Sequence, residues 1–238
     1  MRSSNHTILA VFVFSALVTA SVTAAGRAEA PRKPLVGTEM SPPTAPVDFT
    51  LTDQHGSAFT MGSARGKVAL VTFLYTHCTD TCPFLALKIR EAWGMLGADA
   101  ARTVFVAVTT DPKRDTVPVI ADYSKAIGLF DVWHFLTGTE EAVSAVWKGY
   151  GIGVRIQAAD DEGATTNGGP EQEHGQGLSE ADLRVASDVI TRFGGGYEVS
   201  HTAPFWLVDA KGRVRVLLDS DATPTDLVTD IRALLGGA

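Results

Sequence analysis

Two uninterrupted apolar runs, "KVALVTFLYTH" at residues 67–77 and "RTVFVAVTTD" at residues 102–111, constrain this chain more than any other feature. Both are rich in β-branched and aromatic side chains, and neither alternates with polar residues. A strand without a polar face is buried on both sides, which is the condition of a parallel sheet covered by helices. The segment between them carries the matching helical pattern: Phe84, Leu87, Trp93 and Leu96 recur at helical spacing, and Pro83 suits a first turn. "RDTVPVIADYSKAIGL" predicts a second helix with Asp115 as N-cap, "VWHFLTG" a short strand, and "TEEAVSAVWKGYGI" a helix from Thr139. "LSEADLRVASDVITRF" predicts a helix capped by Ser179 with Asp182 three residues on, and "GGGYEVSH" follows as its end. "APFWLVDAKGRVRVLL" reads as a hairpin, and "TPTDLVTDIRALL" as a last amphipathic helix. Ahead of them all, "VDFTLTDQHGSAFTMGSARGK" reads as a hairpin turning at "DQHG". The order β-α-β-α-β-α-β-β-α predicts an α/β fold, a central mixed sheet flanked by helices.

The segments outside this pattern have their own composition. "ILAVFVFSALVTASVTAA", residues 8–25, carries no charge and follows a short region holding Arg2. Residues 1–25 have the layout of a signal peptide, or of a membrane anchor if they are retained, and in both readings the domain behind them is exported. Residues 26–45, rich in Pro, Gly and small side chains, read as a flexible linker, which leaves 46–238 as one domain. Residues 157–177 are acidic and small, free of Lys and Arg, and read as a solvated, mobile loop. With 27 acidic against 20 basic residues the net charge is −7. That balance speaks against nucleic acid and anionic lipid as partners, so any membrane contact is through the N-terminal segment.

The only two cysteines, Cys78 and Cys82, stand in "YTHCTDTCPF", where a strand ends and a helix begins. Ligands of open α/β sheets gather beyond strand C-termini. A disulfide here would close a tiny loop and restrict the unfolded chain little, so chemistry at sulfur explains the pair better than a staple. Cysteines four apart on a first helical turn share a face, with Cβ atoms about 5–6 Å apart, and the helix N-terminus favours the thiolate. Two adjacent thiolates require a proton, a disulfide bond or a cation between them. Two thiolates with an imidazole suit copper, whereas a closed four-ligand zinc site lacks cysteines. Among the histidines, His55 and His174 fall in a turn and in the acidic loop, His134 inside a strand, and His77 on the side of its strand end away from Cys78. His201, in the segment entering the last hairpin, stands as either a third ligand or a surface histidine. Pro204 stands where a cis-proline could face the cysteines. Thr76 and Arg114 supply the companions of a peroxidatic cysteine, a chemistry the paired cysteines argue against.

In order and spacing "LTDQHG", "FLYTHCTDTCP", "TTDPKRDT", "FLTGTEEAVSAVWKGYGI" and "SHTAPFWLVDAKGRV" resemble the SCO/SenC copper proteins, over about residues 45–157 and 197–235. The resemblance implies a thioredoxin-like fold and copper, as Cu(I) or Cu(II), held by Cys78, Cys82 and His201, with Asp111 in a supporting role. It implies a metallochaperone for assembly of cytochrome c oxidase. The partner would be the oxidase subunit that carries the copper centre, with other copper carriers or thiol reductants as further partners. The location implied is periplasmic, or facing the outer side of the inner membrane. Ser200 stands where the family places an aspartate, which removes a carboxylate that would orient the imidazole, and the stretch at about 157–196 is longer than the family's, which implies a solvated insertion. The alternative function is a thiol-disulfide oxidoreductase for an exported partner. In that reading Cys78 and Cys82 are the catalytic pair and His201 is dispensable. Whether the chain is an enzyme stays open between the two.

Overall fold

The computed structural model describes residues 34–44, 48–157 and 175–236. The expected signal or anchor, the first part of the linker and most of the acidic loop lie outside the described residues. No helix among the described residues is long and apolar enough to cross a membrane. In chain order the elements are β1 (Thr38–Thr44), β2 (Thr50–Thr52), β3 (Ala58–Thr60), β4 (Val68–Leu74), α1 (Thr81–Leu96), β5 (Thr103–Thr109), α2 (Val117–Ala126), β6 (Trp133–Leu136), α3 (Glu140–Gly149), β7 (Val154–Gln157), α4 (Glu180–Phe193), β8 (Glu198–His201), β9 (Phe205–Val208), β10 (Val214–Leu218) and α5 (Pro224–Gly236).

Six strands form one sheet in the order β1-β10-β9-β4-β5-β6. The apolar runs β4 and β5 pair in parallel at its centre, Val71 opposite Val106, and β6 continues in parallel beside β5. On the other side β9 runs antiparallel to β4, so the sheet is mixed, as expected. Every residue of β4 is buried. Its side chains alternate between two cores: Leu70 and Leu74 pack with α1, α2 and α5, while Val71 and Phe73 pack with α3 and the β2–β3 hairpin. Burying one such side chain stabilises the fold by about 1.5–3 kcal/mol. The caps hold as read: Thr139 accepts from the Ala142 N–H at 3.2 Å, and Ser179 and Asp182 form a reciprocal capping box.

Several expectations give way. The linker becomes strand from Thr38, pairing with β10, because buried Asp230 accepts from the N–H groups of Val36 at 2.7 Å and Gly37 at 2.9 Å and fixes the chain entering that edge. Trp93 is 43% exposed; α1 buries Leu85, Ala86, Ile89 and Ala92 instead. Asp115 is no N-cap: Thr116 holds that position, and Asp115 is turned fully inward. The second half of the insertion is packed rather than solvated, since Ala186 and Val189 of α4 join the core and Arg90 of α1 pairs with buried Asp182. "EVSH" is a strand, β8, which pairs with β7 in a ribbon outside the main sheet. Pro204 follows a trans bond; the cis X-Pro bond among the described residues is Ser41–Pro42.

Candidate metal centre

The cysteines mark the junction between β4 and α1. The strand ends at Leu74, residues 75–80 form a loop, and the helix starts at Thr81. Cys78 therefore precedes the helix and Cys82 lies inside it, so the two do not share a helical face as expected. The loop curls back instead and brings the Cys78 sulfur over the helix start, where the backbone N–H groups of Cys82 and Asp80 donate to it. Both thiols are free and buried, Cys78 7% and Cys82 1% exposed.

Their surroundings divide them. The hydrogen bond from Cys82, joined by the backbone donors, pulls Cys78 below the ordinary thiol range although burial opposes it. Burial, then the bond to and charge of Cys78, push Cys82 well up. When the pair loses a proton it therefore leaves Cys78 first, and the Cys82 thiol donates to the thiolate so formed.

His201 ends β8. Its Nε2 lies 3.6 Å from the Cys82 Sγ, and its Nδ1 lies 3.1 Å from the Thr202 carbonyl oxygen. A carbonyl only accepts, so Nδ1 carries the proton and Nε2 turns its lone pair to the sulfur. Burial lowers the His201 pKa to about 4, which keeps the ring neutral near pH 7. With bonds of about 2.3 Å to sulfur and 2.0 Å to nitrogen, two donors on one tetrahedral ion stand about 3.5 Å apart. The Cys82–His201 spacing matches that separation. Cys82 touches both Cys78 and His201, which closes the triangle on two sides. Among the described residues no three His, Cys, Asp or Glu side chains are already gathered as a complete ion-holding set.

The three donors line one open cavity of about 990 Å³, with Tyr75, Glu198 and Asp219 among its walls. Tyr75, the residue after β4, is a member that the sequence did not single out. Its hydroxyl accepts from the Val199 N–H at 3.2 Å, and its ring meets that of His201 edge-on with centroids 5.8 Å apart. The other expected residues stand elsewhere. Asp111 does not line the cavity; it pairs with Arg114 and accepts from the Tyr197 hydroxyl at 2.7 Å. Thr76 donates to Asp115 at 2.5 Å, so neither Thr76 nor Arg114 is set beside a sulfur as a peroxidase would require. His77 bonds Thr76 at 2.8 Å, His134 bonds Asp53 at 3.1 Å, and His55 is exposed against Phe130. His174 lies outside the described residues. Ser200 is exposed, pairs with Arg155 across the ribbon and lines the cavity next to His201, with a hydroxyl where the family places a carboxylate.

The family model described as SCO1/SenC matches residues 38–178. The chain belongs to the SCO1/SenC family. The match starts where β1 starts and takes in both cysteines and Asp111; His201 lies beyond it, so its place at the site rests on geometry. A SCO2-like protein of Rickettsia felis is 32% identical over 122 residues, covering 48% of this chain and 56% of that protein. Protein SenC of Rhodobacter capsulatus is 32% identical over 107 residues, covering 43% of this chain and 45% of its own length. The chain thus spans about half the length of the curated relatives it matches. Among solved structures, copper-bound ScoI of Bradyrhizobium japonicum superposes with a TM-score of 0.61 at 25% identity, covering 80% of this chain and 99% of that one. Apo Sco1 of Thermus thermophilus gives 0.61 at 27% identity, covering 86% and 99%. The mixed sheet with its flanking helices is accordingly the thioredoxin-like fold of these SCO proteins.

Proposed function

We propose that this SCO1/SenC chain is a copper metallochaperone that binds one copper ion through Cys78, Cys82 and His201 and passes it to the cytochrome c oxidase subunit that carries the copper centre. The observation that carries the reading is the 3.6 Å approach of the His201 Nε2 to the Cys82 Sγ. It sets a neutral imidazole lone pair against a free thiol, at the mouth of an open cavity that a second thiol also lines. Two sulfurs and one ring nitrogen form a soft donor set, which suits Cu(I) better than a hard cation. The open cavity suits transfer by ligand exchange. The SCO/SenC motifs support the oxidase as recipient, and the apolar stretch at residues 8–25 supports an exported domain facing the periplasm or the outer side of the inner membrane. Anaerobic titration of the reduced protein, read by metal analysis and thiol counting, tests the reading. One Cu(I) per chain is expected, held measurably more weakly in His201→Ala; no copper uptake by the free thiols would end it.

The unequal thiols favour a second activity on the same residues. The Cys78 thiolate attacks a partner disulfide, and Cys82 then displaces the partner's sulfur. Cys78 and Cys82 end joined and oxidised, and the partner gains two thiols. This exchange needs no imidazole, so His201→Ala would spare it.

A further inference from the structure

The histidine of the site is carried by a strand with little sheet to hold it. Among the described residues β8 pairs only with β7, in a two-stranded ribbon outside the six-stranded sheet. Two-stranded ribbons are marginal by themselves. The Gly195 N–H donates to the His77 carbonyl at 3.3 Å and Val199 is buried in the main core, and the position of His201 against Cys82 depends further on side chains that reach the ribbon from the body of the domain.

Two such contacts stand out. One is Tyr75, whose hydroxyl takes the Val199 N–H. The other is a closed ring of three residues at the start of β8. Arg114 pairs through Nε with buried Asp111, donates from a terminal nitrogen to the Gly195 carbonyl at 2.9 Å, and lays its guanidinium 3.6 Å from the Tyr197 ring centroid. Tyr197 closes the ring by donating to the other Asp111 oxygen at 2.7 Å. Asp111 and Arg114 belong to one tight turn after β5, in which the Arg114 and Asp115 N–H groups both donate to the Asp111 carbonyl. The anchor is thus rigid on the sheet side. The fit on the ribbon side is close: Gly196 has φ +82°, and a Cβ there would stand 2.9 Å from an Arg114 nitrogen. The chain directly after Tyr197 is β8, which ends at His201.

We infer that Arg114, held by Asp111, is a positioning residue that clamps Tyr197 and Gly195 and thereby holds His201 within reach of Cys82. The inference rests on the copper reading above. It gives Asp111 its supporting role at a distance from the sulfurs, and it gives a task to Arg114, which peroxidase chemistry leaves idle. A planar fork and a flat face are both used, so lysine cannot replace arginine here.

The test uses the full chain with Arg114→Ala, Arg114→Lys, Tyr197→Phe, His201→Ala and the Arg114→Ala/His201→Ala double variant. In the copper-free protein, amide deuterium exchange at Val199 is expected to quicken in Arg114→Ala while exchange in β4 and β5 is unchanged. Under competition with a Cu(I) chelator, Arg114→Ala is expected to weaken retention about 10–100-fold, the usual effect of losing a group that orients a ligand. Arg114→Lys should fall close to it and Tyr197→Phe between. In the His201→Ala background the further loss from Arg114→Ala should vanish, because the arginine acts only through that ring. Losses that add fully in the double variant, or unchanged exchange at Val199, overturn the inference. If Arg114→Ala fails to fold, Tyr197→Phe carries the same two readouts with only a hydroxyl removed. If His201→Ala itself retains copper normally, the copper reading falls, and the exchange at Val199 still decides whether the clamp holds the strand.

Discussion

Asp115 offers the sharpest stability prediction. It is fully buried beneath the cysteine loop, and its carboxylate accepts from the Thr76 N–H at 3.2 Å, the Thr76 hydroxyl at 2.5 Å and the Thr109 hydroxyl at 2.5 Å. Asp115→Ala leaves these three donors without an acceptor in a dry site. A buried donor left unpaired costs about 1–3 kcal/mol. The hydroxyls can turn to other acceptors while the amide cannot, so a net loss of about 3–5 kcal/mol is expected. Asp115→Asn keeps the shape and one accepting oxygen and should lose about 1–2 kcal/mol. Thr76 lies two residues before Cys78, so the loop should also fray and expose the thiol. Urea unfolding gives the energy, and the alkylation rate of Cys78 gives the fraying. A variant Asp115→Ala within about 0.5 kcal/mol of wild type, with unchanged alkylation, would refute the reasoning that this carboxylate holds the loop.

Two further outcomes follow from the packing. Burial lowers the buried Lys88 ammonium to about 8, and its Nζ donates to the Ser220 carbonyl at 2.8 Å. Between pH 8 and about 10.5 the unfolded lysine keeps a proton that the folded one has released, so stability rises with pH in that window. The penalty is fully present below pH 8. Lys88→Met should flatten the rise, which is on the order of 3 kcal/mol, and urea midpoints at pH 7.5 and 10 that change equally in both proteins would contradict it. Ser179→Ala removes one half of the α4 capping box and should cost about 1 kcal/mol, read by thermal unfolding; no loss would mean that α4 is held by its packing on α1 alone.

Much of this architecture was legible because local signals and tertiary demands agree. The β4 and β5 runs have no polar face and sit at the sheet centre, and Thr139 and Ser179 cap the helices they precede. The cysteine pair was visible as chemistry because its loop would be a poor staple. The illegible parts are those that tertiary contacts impose. "TEMSPPT" has little strand propensity and becomes β1 only because β10 and Asp230 receive it. Asp115 has the chemistry of a cap, but Thr76 and Thr109, remote in sequence or facing inward, draw it inside. Trp93 falls on the helical spacing yet on the wrong edge of the stripe that α1 buries. His201 at the site, and Asp111 outside its cavity, could be named by resemblance to SCO/SenC proteins. The role of Tyr75 could not, because its contact with Val199 spans 124 positions that no periodicity links.

The central claim, that both sulfurs and the His201 ring nitrogen share one ion, is tested most directly by X-ray absorption at the copper edge on the reduced, copper-loaded protein. Two sulfur scatterers and one imidazole nitrogen are expected, with the nitrogen signal gone in His201→Ala. A wild-type spectrum with sulfur alone, or one that His201→Ala leaves unchanged, would contradict it.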